Sequence, residues 1–430
     1  MHTRNGPDSN HALAAAMRAA ERLDGTLNAF AHRPASYALP DAVDGPLSGM
    51  PVAVKDLINT ADMPTTYGSR VFAGHLPQRD AWVVARLRSL GAVILGKTVT
   101  TEFAWRDAGP TVNPWNTAHS PGGSSSGSAA AVGAGIVDIA LGTQTVCSVI
   151  RPASYCGAFG YKPSFGLIST DGIHDLAPSL DHVGFITSSI YWAAVCHALI
   201  ARDGAVAAPA SADEFEAVKP RRIGVYRSAQ WGQVALDVQR NFDAVVRRLQ
   251  AHGVQCEAVE LSDDIVALNT LTTTILAYEG RRSIQDEIGG REALVGPSIR
   301  ALVALGQEIV EVDYGAAIER MDFLRERAND CFGALDAIIT ITSPTTAPPG
   351  LETTGDSSFC APATLLGLPA ISVPSGLSDE LLPYGVQLIG RSDDDLALLG
   401  MAQWLSDVLP GLRCPALPPP ARHSGGQHTR

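Results

Sequence analysis

The sequence predicts an α/β layered fold. Short apolar, β-branched runs alternate along it with longer helical patterns, as strands and helices packed in layers require. A hydrophobic share of 46% against 18% charged lets the 430-residue chain bury a sizeable core. A third observation is the small-residue segment Ser120-Pro-Gly-Gly-Ser-Ser-Ser-Gly-Ser-Ala-Ala130, set deep inside the alternation.

Residues 9–24 read as a helix, with Ser9 or Asn10 as cap and an Ala-rich body. Pro51–Lys55 is a short strand of small and β-branched residues. A helix follows at 81–90 and a strand at 92–95. Residues 126–136 form a helix whose Ala and Gly permit close backbone packing, and 138–141 form a strand. The stretch 188–201 has the composition of a buried helix. Residues 207–219, rich in Ala, Pro, Ser and acids, read as a linker or excursion. Strands are expected at Arg222–Tyr226 and 254–260, around a helix near 235–252. Long helices fill 264–330. Ala337–Ile341, 370–373 and 384–389 are strands, and 394–405 is a helix. In domain terms, 1–45 is an N-terminal helical segment and 46–410 the main domain. The latter holds a more variable helical region at about 205–335, and 411–430 is a tail expected to be disordered.

A net charge of −12 argues against a nucleic-acid surface, which needs clustered Lys and Arg. The seven cysteines are an odd number and form no C-x-x-C pair, so neither a disulfide framework nor a zinc ribbon is supported. A reducing cytoplasm is the simpler reading. The histidines show no metal-binding spacing. Met1 to Asp8 is polar, unlike a signal peptide, and no apolar run is long enough to cross a bilayer.

Two short motifs fail their context tests. Gly91-Ala-Val-Ile-Leu-Gly96-Lys97-Thr98 matches the phosphate-loop pattern. A phosphate loop follows a strand and exposes its middle residues, whereas Ala-Val-Ile-Leu here looks like the strand itself. Gly123-Ser-Ser125-Ser-Gly127 matches the nucleophile elbow of α/β-hydrolases. The elbow needs an apolar strand before it, and Asn116-Thr-Ala-His-Ser-Pro-Gly cannot supply one. A flexible Gly/Ser linker is excluded too, because an apolar helix follows directly.

A longer set of segments is specific. Pro121-Gly-Gly-Ser-Ser-Ser-Gly-Ser-Ala-Ala-Ala resembles the hallmark of the amidase signature family. So do Val149-Ile-Arg-Pro-Ala-Ser-Tyr-Cys-Gly157, Gly160-Tyr-Lys-Pro-Ser-Phe-Gly166 and Ser179-Leu-Asp-His-Val-Gly184. Ser343-Pro-Thr-Thr-Ala-Pro-Pro, Leu366-Gly-Leu-Pro-Ala-Ile-Ser-Val-Pro and Tyr384-Gly-Val-Gln-Leu-Ile-Gly390 continue it in the family's order. The shorter, malonamidase-like bacterial members look nearest. The resemblance implies a single-domain amidase-signature fold: a large mixed β-sheet covered by helices on both faces. It also implies a serine amidohydrolase that cleaves a linear amide through an acyl-enzyme, with no metal and no organic cofactor. The partner would be a small-molecule amide, with no nucleic acid or membrane, and a homodimer stays open.

In that family the nucleophilic serine follows a relay serine, held in a cis peptide, by 24 residues. Ser124 and Ser148 stand at that spacing, and Lys55 sits where the family's base sits. The chemistry agrees. A serine hydroxyl needs a base near neutral pH. Lysine is ordinarily protonated, but burial in an apolar run such as Pro-Val-Ala-Val lowers its pKa. Neutral Lys55 then accepts a proton from Ser124, and Ser124 from Ser148.

By resemblance, the oxyanion donors come from the turn Thr145, Val146, Cys147 and Ser148. Val146-Cys147 replaces the family's usual Gly-Gly pair, and valine resists the φ > 0 conformations that glycine permits. Either the turn tolerates side chains or the pocket is narrowed or mis-shaped. Cys147, beside the nucleophile, invites a thiol mechanism, though a structural small hydrophobe is the plainer reading. Arg151 either binds a substrate carboxylate bidentately or pairs with a structural acid. His182 reads as a packing or hydrogen-bonding residue. Three competitors stand beside hydrolysis: an acyltransferase on the same site, a catalytically silent member of a complex, and an amidotransferase component that feeds ammonia to charged tRNA.

Overall fold

In the computed structural model, residues 9–37, 45–201, 208–209, 211, 214–261 and 265–412 are described. Among them, eleven strands form one mixed sheet. In chain order these are β1 (Phe30–His32), β2 (Pro51–Lys55), β3 (Val93–Thr98), β4 (Ile139–Gln144), β5 (Phe159–Lys162) and β6 (His182–Thr187). They continue as β7 (Arg222–Tyr226), β8 (Gln255–Val259), β9 (Ala337–Ile341), β10 (Ala370–Leu377) and β11 (Pro383–Ile389). Across the sheet the order is β1-β3-β2-β4-β6-β5-β10-β11-β9-β7-β8. Strand β2 runs parallel to both β3 and β4, and β7 parallel to both β8 and β9; the remaining pairs are antiparallel. The expected large mixed sheet is therefore present.

Helices cover both faces. The first half supplies α1 (Ser9–Leu27), α2 (Trp82–Ser89), α3 (Ser126–Gly133), α4 (Ile150–Tyr155), α5 (Ile190–Ile200) and α6 (Leu236–Ala251). The second half supplies α7 (Ile265–Ile288), α8 (Pro297–Glu308), α9 (Glu311–Glu326), α10 (Ala361–Leu365) and α11 (Asp395–Val408). On one face a small cluster joins Leu13, Ala16 and Ala20 of α1 to Ala129–Ala131 of α3 over Ala53, Leu95 and Ala140. On the other, Val52, Val54, Ile94 and Leu141 belong to the main cluster, with Val84 and Leu87 of α2 and Ala193 of α5. Successive side chains of a strand alternate between faces. Lys55 thus falls on the Ala53 side, the side that α3 covers.

The small residues of α3 allow a very close approach. A side chain at Gly127 would collide with the Ala29 carbonyl. Strand positions match the reading from sequence at Pro51–Lys55, Arg222–Tyr226 and Ala337–Ile341. The phosphate-loop lookalike is strand β3, entirely buried, with Lys97 paired to Asp56 at 3.3 Å. Residues 207, 210, 212 and 213 of the expected 207–219 excursion, residues 1–8 and the tail from 413 lie outside the described residues. Strands β1, β5 and β6 and helices α4 and α10 were not expected from the sequence.

Candidate active site

The parallel pairing of β2 with β4 sets Val54 opposite Leu141, so both strands end at the same edge. Lys55 closes β2, and the chain leaves β4 into the Thr145–Ser148 turn. Ser124 arrives from a third direction, on the approach to α3, after a cis Gly123–Ser124 peptide bond. The three segments are laced together. Lys55 Nζ donates to Ser124 Oγ at 2.7 Å and to Thr143 Oγ1 at 2.7 Å. The Ser125 N–H donates to the Ser148 carbonyl at 3.3 Å. The Ser148 side chain has no hydrogen-bond partner among the described residues, and it lines the cavity together with Ser124.

Burial governs the electrostatics. Lys55 is fully buried and forms no ion pair among the described residues. Desolvation holds its ammonium well below the usual lysine range, opposed by the charge of Asp181. Burial pushes Asp181 itself up to about 7, against hydrogen bonds from Thr145, Leu176 and Ala177. Two further lysines are buried, and both differ from Lys55. Lys97 has its Asp56 partner and donates to the Ile58 carbonyl. Lys162 donates to the Pro163 and Leu368 carbonyls. Of these three lysines, only Lys55 touches a hydroxyl of the Gly/Ser segment.

The turn after β4 is a set of free donors. Among the described residues the N–H groups of Thr145, Val146, Cys147 and Ser148 have no hydrogen-bond partner. The next two, of Val149 and Ile150, both donate to Gln144 Oε1, at 2.8 and 3.0 Å. Consecutive unpaired backbone N–H groups beside a hydroxyl make a concavity suited to a negative oxygen. Neither Val146 nor Cys147 adopts a positive φ. The turn therefore tolerates side chains, and the missing Gly-Gly pair leaves no left-handed backbone to strain. Changing both to glycine is expected to give no gain in turnover and to lower stability by at least ~1–2 kcal/mol, through unfolded-chain entropy. Thermal melts and steady-state kinetics check this; a rate gain near ~10² would instead mean that the side chains misplace a donor.

Cys147 is buried, its thiol in contact with that of Cys360. Arg151 is also buried. Its guanidinium donates to the Gly355 and Gly123 carbonyls, both at 2.8 Å, and to Thr354 Oγ1 at 3.0 Å. Its Nε is buried without a partner, and no carboxylate pairs with it among the described residues. The structural-acid alternative is thus absent there. His182 Nδ1 lies 2.7 Å from the Leu180 carbonyl, and the ring packs edge-on against Phe165.

Ser124, the Thr145–Ser148 turn and Arg151 line one cavity of about 1020 Å³. Its far wall is a face of α7, with Asn269, Thr272, Thr273 and Leu276 at helical spacing. Glu279 of α7 accepts from the Ser179 N–H and hydroxyl, and His174 Nε2 lies 2.6 Å from Glu287 Oε2, tying the 174–181 loop to this helix. Among the described residues, no group of three or more His, Cys, Asp or Glu is placed to hold a metal ion. No helix there is long and apolar enough to cross a membrane. Sequence reasoning missed Thr143, Gln144 and Thr364. The first two open the segment that carries Ser148, and Thr364 lies two residues before the Leu366 segment.

Comparison with known proteins gives the family and the fold. The amidase family model matches residues 12–399. A glutamyl-tRNA(Gln) amidotransferase subunit of Nitratidesulfovibrio vulgaris (strain DP4) is 36% identical over 429 residues, covering 88% of this chain and 86% of that protein. The crystal structure of the same-named Thermotoga maritima protein superposes with a TM-score of 0.81 at 30% identity, covering 95% of both chains. A crystal structure of an amidase gives a TM-score of 0.83 at 27% identity, over 94% of this chain and 96% of the other.

Proposed function

The chain belongs to the amidase family and is an amidase acting on C–N bonds, and on that premise we propose that it is a serine amidohydrolase using Ser148, Ser124 and Lys55. The observation that carries this reading is the buried Lys55 amine, 2.7 Å from the Ser124 hydroxyl at the cavity that Ser148 also lines. Ser148 Oγ attacks the amide carbon while its proton passes to Ser124 and the Ser124 proton to Lys55. Negative charge develops on the carbonyl oxygen, within reach of the free N–H groups of residues 145–148. The C–N bond then breaks as the proton returns through Ser124 to the leaving nitrogen, giving ammonia or an amine and an ester at Ser148. Water, deprotonated along the same path, cleaves that ester and regenerates the hydroxyl.

Arg151 supports a substrate that carries a carboxylate near the scissile amide. A buried guanidinium with an orphaned Nε and no acid partner is poised for a charge-assisted bond. Arg151→Met is expected to raise KM roughly 10- to 100-fold for carboxylate-bearing amides, by loss of a charged hydrogen bond, and to leave neutral amides much less affected. Equal losses for both classes would reduce Arg151 to a brace for residues 354–355.

The similarity to amidotransferase subunits favours a second reading, in which the same site releases ammonia for another protein. An ammonia-release screen over glutamine, asparagine, short dicarboxylic monoamides and neutral carboxamides tests both, with Ser148→Ala as blank. Turnover of a dicarboxylic monoamide or a neutral carboxamide by the isolated chain supports the first reading. Release from glutamine alone supports the second. No Ser148-dependent release from any amide rejects both.

A further inference from the structure

The free donors of the Thr145–Ser148 turn must be held in place, and one chain of hydrogen bonds does so from a distance. Gln144 Oε1 faces two backbone donors, the N–H groups of Val149 and Ile150. Only an oxygen can occupy that position, so the amide orientation is fixed and Nε2 points the other way. It donates to Thr364 Oγ1 at 3.0 Å. Thr364 is fully buried on α10, and its single hydroxyl proton is thereby left for an acceptor. The near acceptor is the Val146 carbonyl at 2.7 Å; the Cys360 carbonyl is at 3.5 Å.

The carbonyl of Val146 and the N–H of Cys147 belong to one trans peptide unit, in which the two groups point in opposite directions. Anchoring the carbonyl on the α10 side therefore aims the Cys147 N–H away from it. That N–H is unpartnered among the described residues, and Cys147 lines the cavity. We propose that Thr364, its hydroxyl oriented by Gln144, is a positioning residue that points the Cys147 N–H at the oxyanion. This rests on the reading of Ser148 as nucleophile. It also accounts for a turn that does without Gly-Gly: an external anchor sets the peptide plane.

The test uses a biotinylated alkyl fluorophosphonate as probe on the full chain. Ser148 Oγ forms a bond to phosphorus, fluoride leaves, and the serine proton departs through Ser124. The phosphoryl oxygen occupies the oxyanion position. Thr364→Val keeps the shape and removes the hydroxyl. It is expected to slow labelling at Ser148 by ~10- to 100-fold, short of the full loss of one oxyanion donor, and Thr364→Ser to restore most of the rate. Gln144→Glu keeps the acceptor for residues 149 and 150 but draws the Thr364 proton onto its carboxylate, so it is expected to label as slowly as Thr364→Val. Affinity for phenylboronic acid, which binds as a tetrahedral anion, is expected to fall by a similar factor. A merely structural role lowers the melting temperature and leaves these rates in place. Wild-type labelling rates in both folded variants overturn the inference while the amidohydrolase reading stands. Failure of the wild-type chain to label at Ser148 overturns that reading, and this inference with it. Should Thr364→Val not fold, Gln144→Glu decides alone.

Discussion

Lys55→Arg is expected to reduce kcat by ~10³-fold or more, because proton transfer through a positioned base contributes at least that order in activating a serine hydroxyl. The guanidinium stays protonated at every accessible pH and cannot accept from Ser124. Lys55 can, since burial holds its ammonium well below the ordinary range. Rate is therefore expected to rise with pH through the Lys55 ionisation, the base being active only when neutral. Asp181 titrates beside it, raised to about 7 by burial, so the acid limb belongs to the pair. The sign of their coupling is fixed: a carboxylate favours the charged ammonium. Asp181→Asn should move the acid limb to lower pH. A pH–rate profile of the three proteins, with melting curves as controls and Lys55→Met as a second variant, checks both statements. Near-normal turnover in Lys55→Arg would remove Lys55 from the proton path.

The order of strands and helices was readable because most strands are runs of β-branched residues and most helices carry an apolar face. The missed elements break those rules for physical reasons. Strand β5 contains Gly160 and stops at Pro163, and β6 contains Gly184, so neither shows a continuous run. Helix α4 carries Pro152 at its third position and α10 carries Pro362 at its second. Proline reads as a breaker, yet in a first turn its missing N–H has no helical partner to lose. The site was legible in a similarly uneven way. Lys55, Ser124 and Ser148 lie in segments whose small or apolar composition is itself unusual; Ser124 and Ser148 line one cavity, and Lys55 lies buried against Ser124. The sequence holds two other lysines that end up equally buried, Lys97 and Lys162, and only tertiary placement separates their roles. Thr364 contacts the turn across 218 residues of chain, a separation that no local pattern encodes. The substitution of Val146-Cys147 was visible at once; its tolerance was not, because that depends on φ values set by the surrounding turn.

The second large effect concerns which atom attacks. Ser148→Ala is expected to abolish turnover and acyl-enzyme formation, leaving about the ~10³–10⁴-fold enhancement over water that an oxyanion site and substrate binding supply alone. The neighbouring thiol is the rival. Cys147 is 1% exposed and lies against Cys360, while Ser148 is 8% exposed on the cavity and its hydroxyl is unpartnered among the described residues. Lys55 donates to Ser124, and the Ser125 N–H donates to the Ser148 carbonyl, so the Ser124 segment is tied directly to the Ser148 backbone. A sulfonyl fluoride should therefore modify Ser148, located by peptide mass spectrometry, and should still do so in Cys147→Ala. Ser148→Ala should be inert to the same reagent and silent in ammonia release. Modification of Cys147 with activity surviving in Ser148→Ala would transfer the nucleophile to the thiol. In that event Ser124 would have to serve a sulfur that the structure turns toward α10.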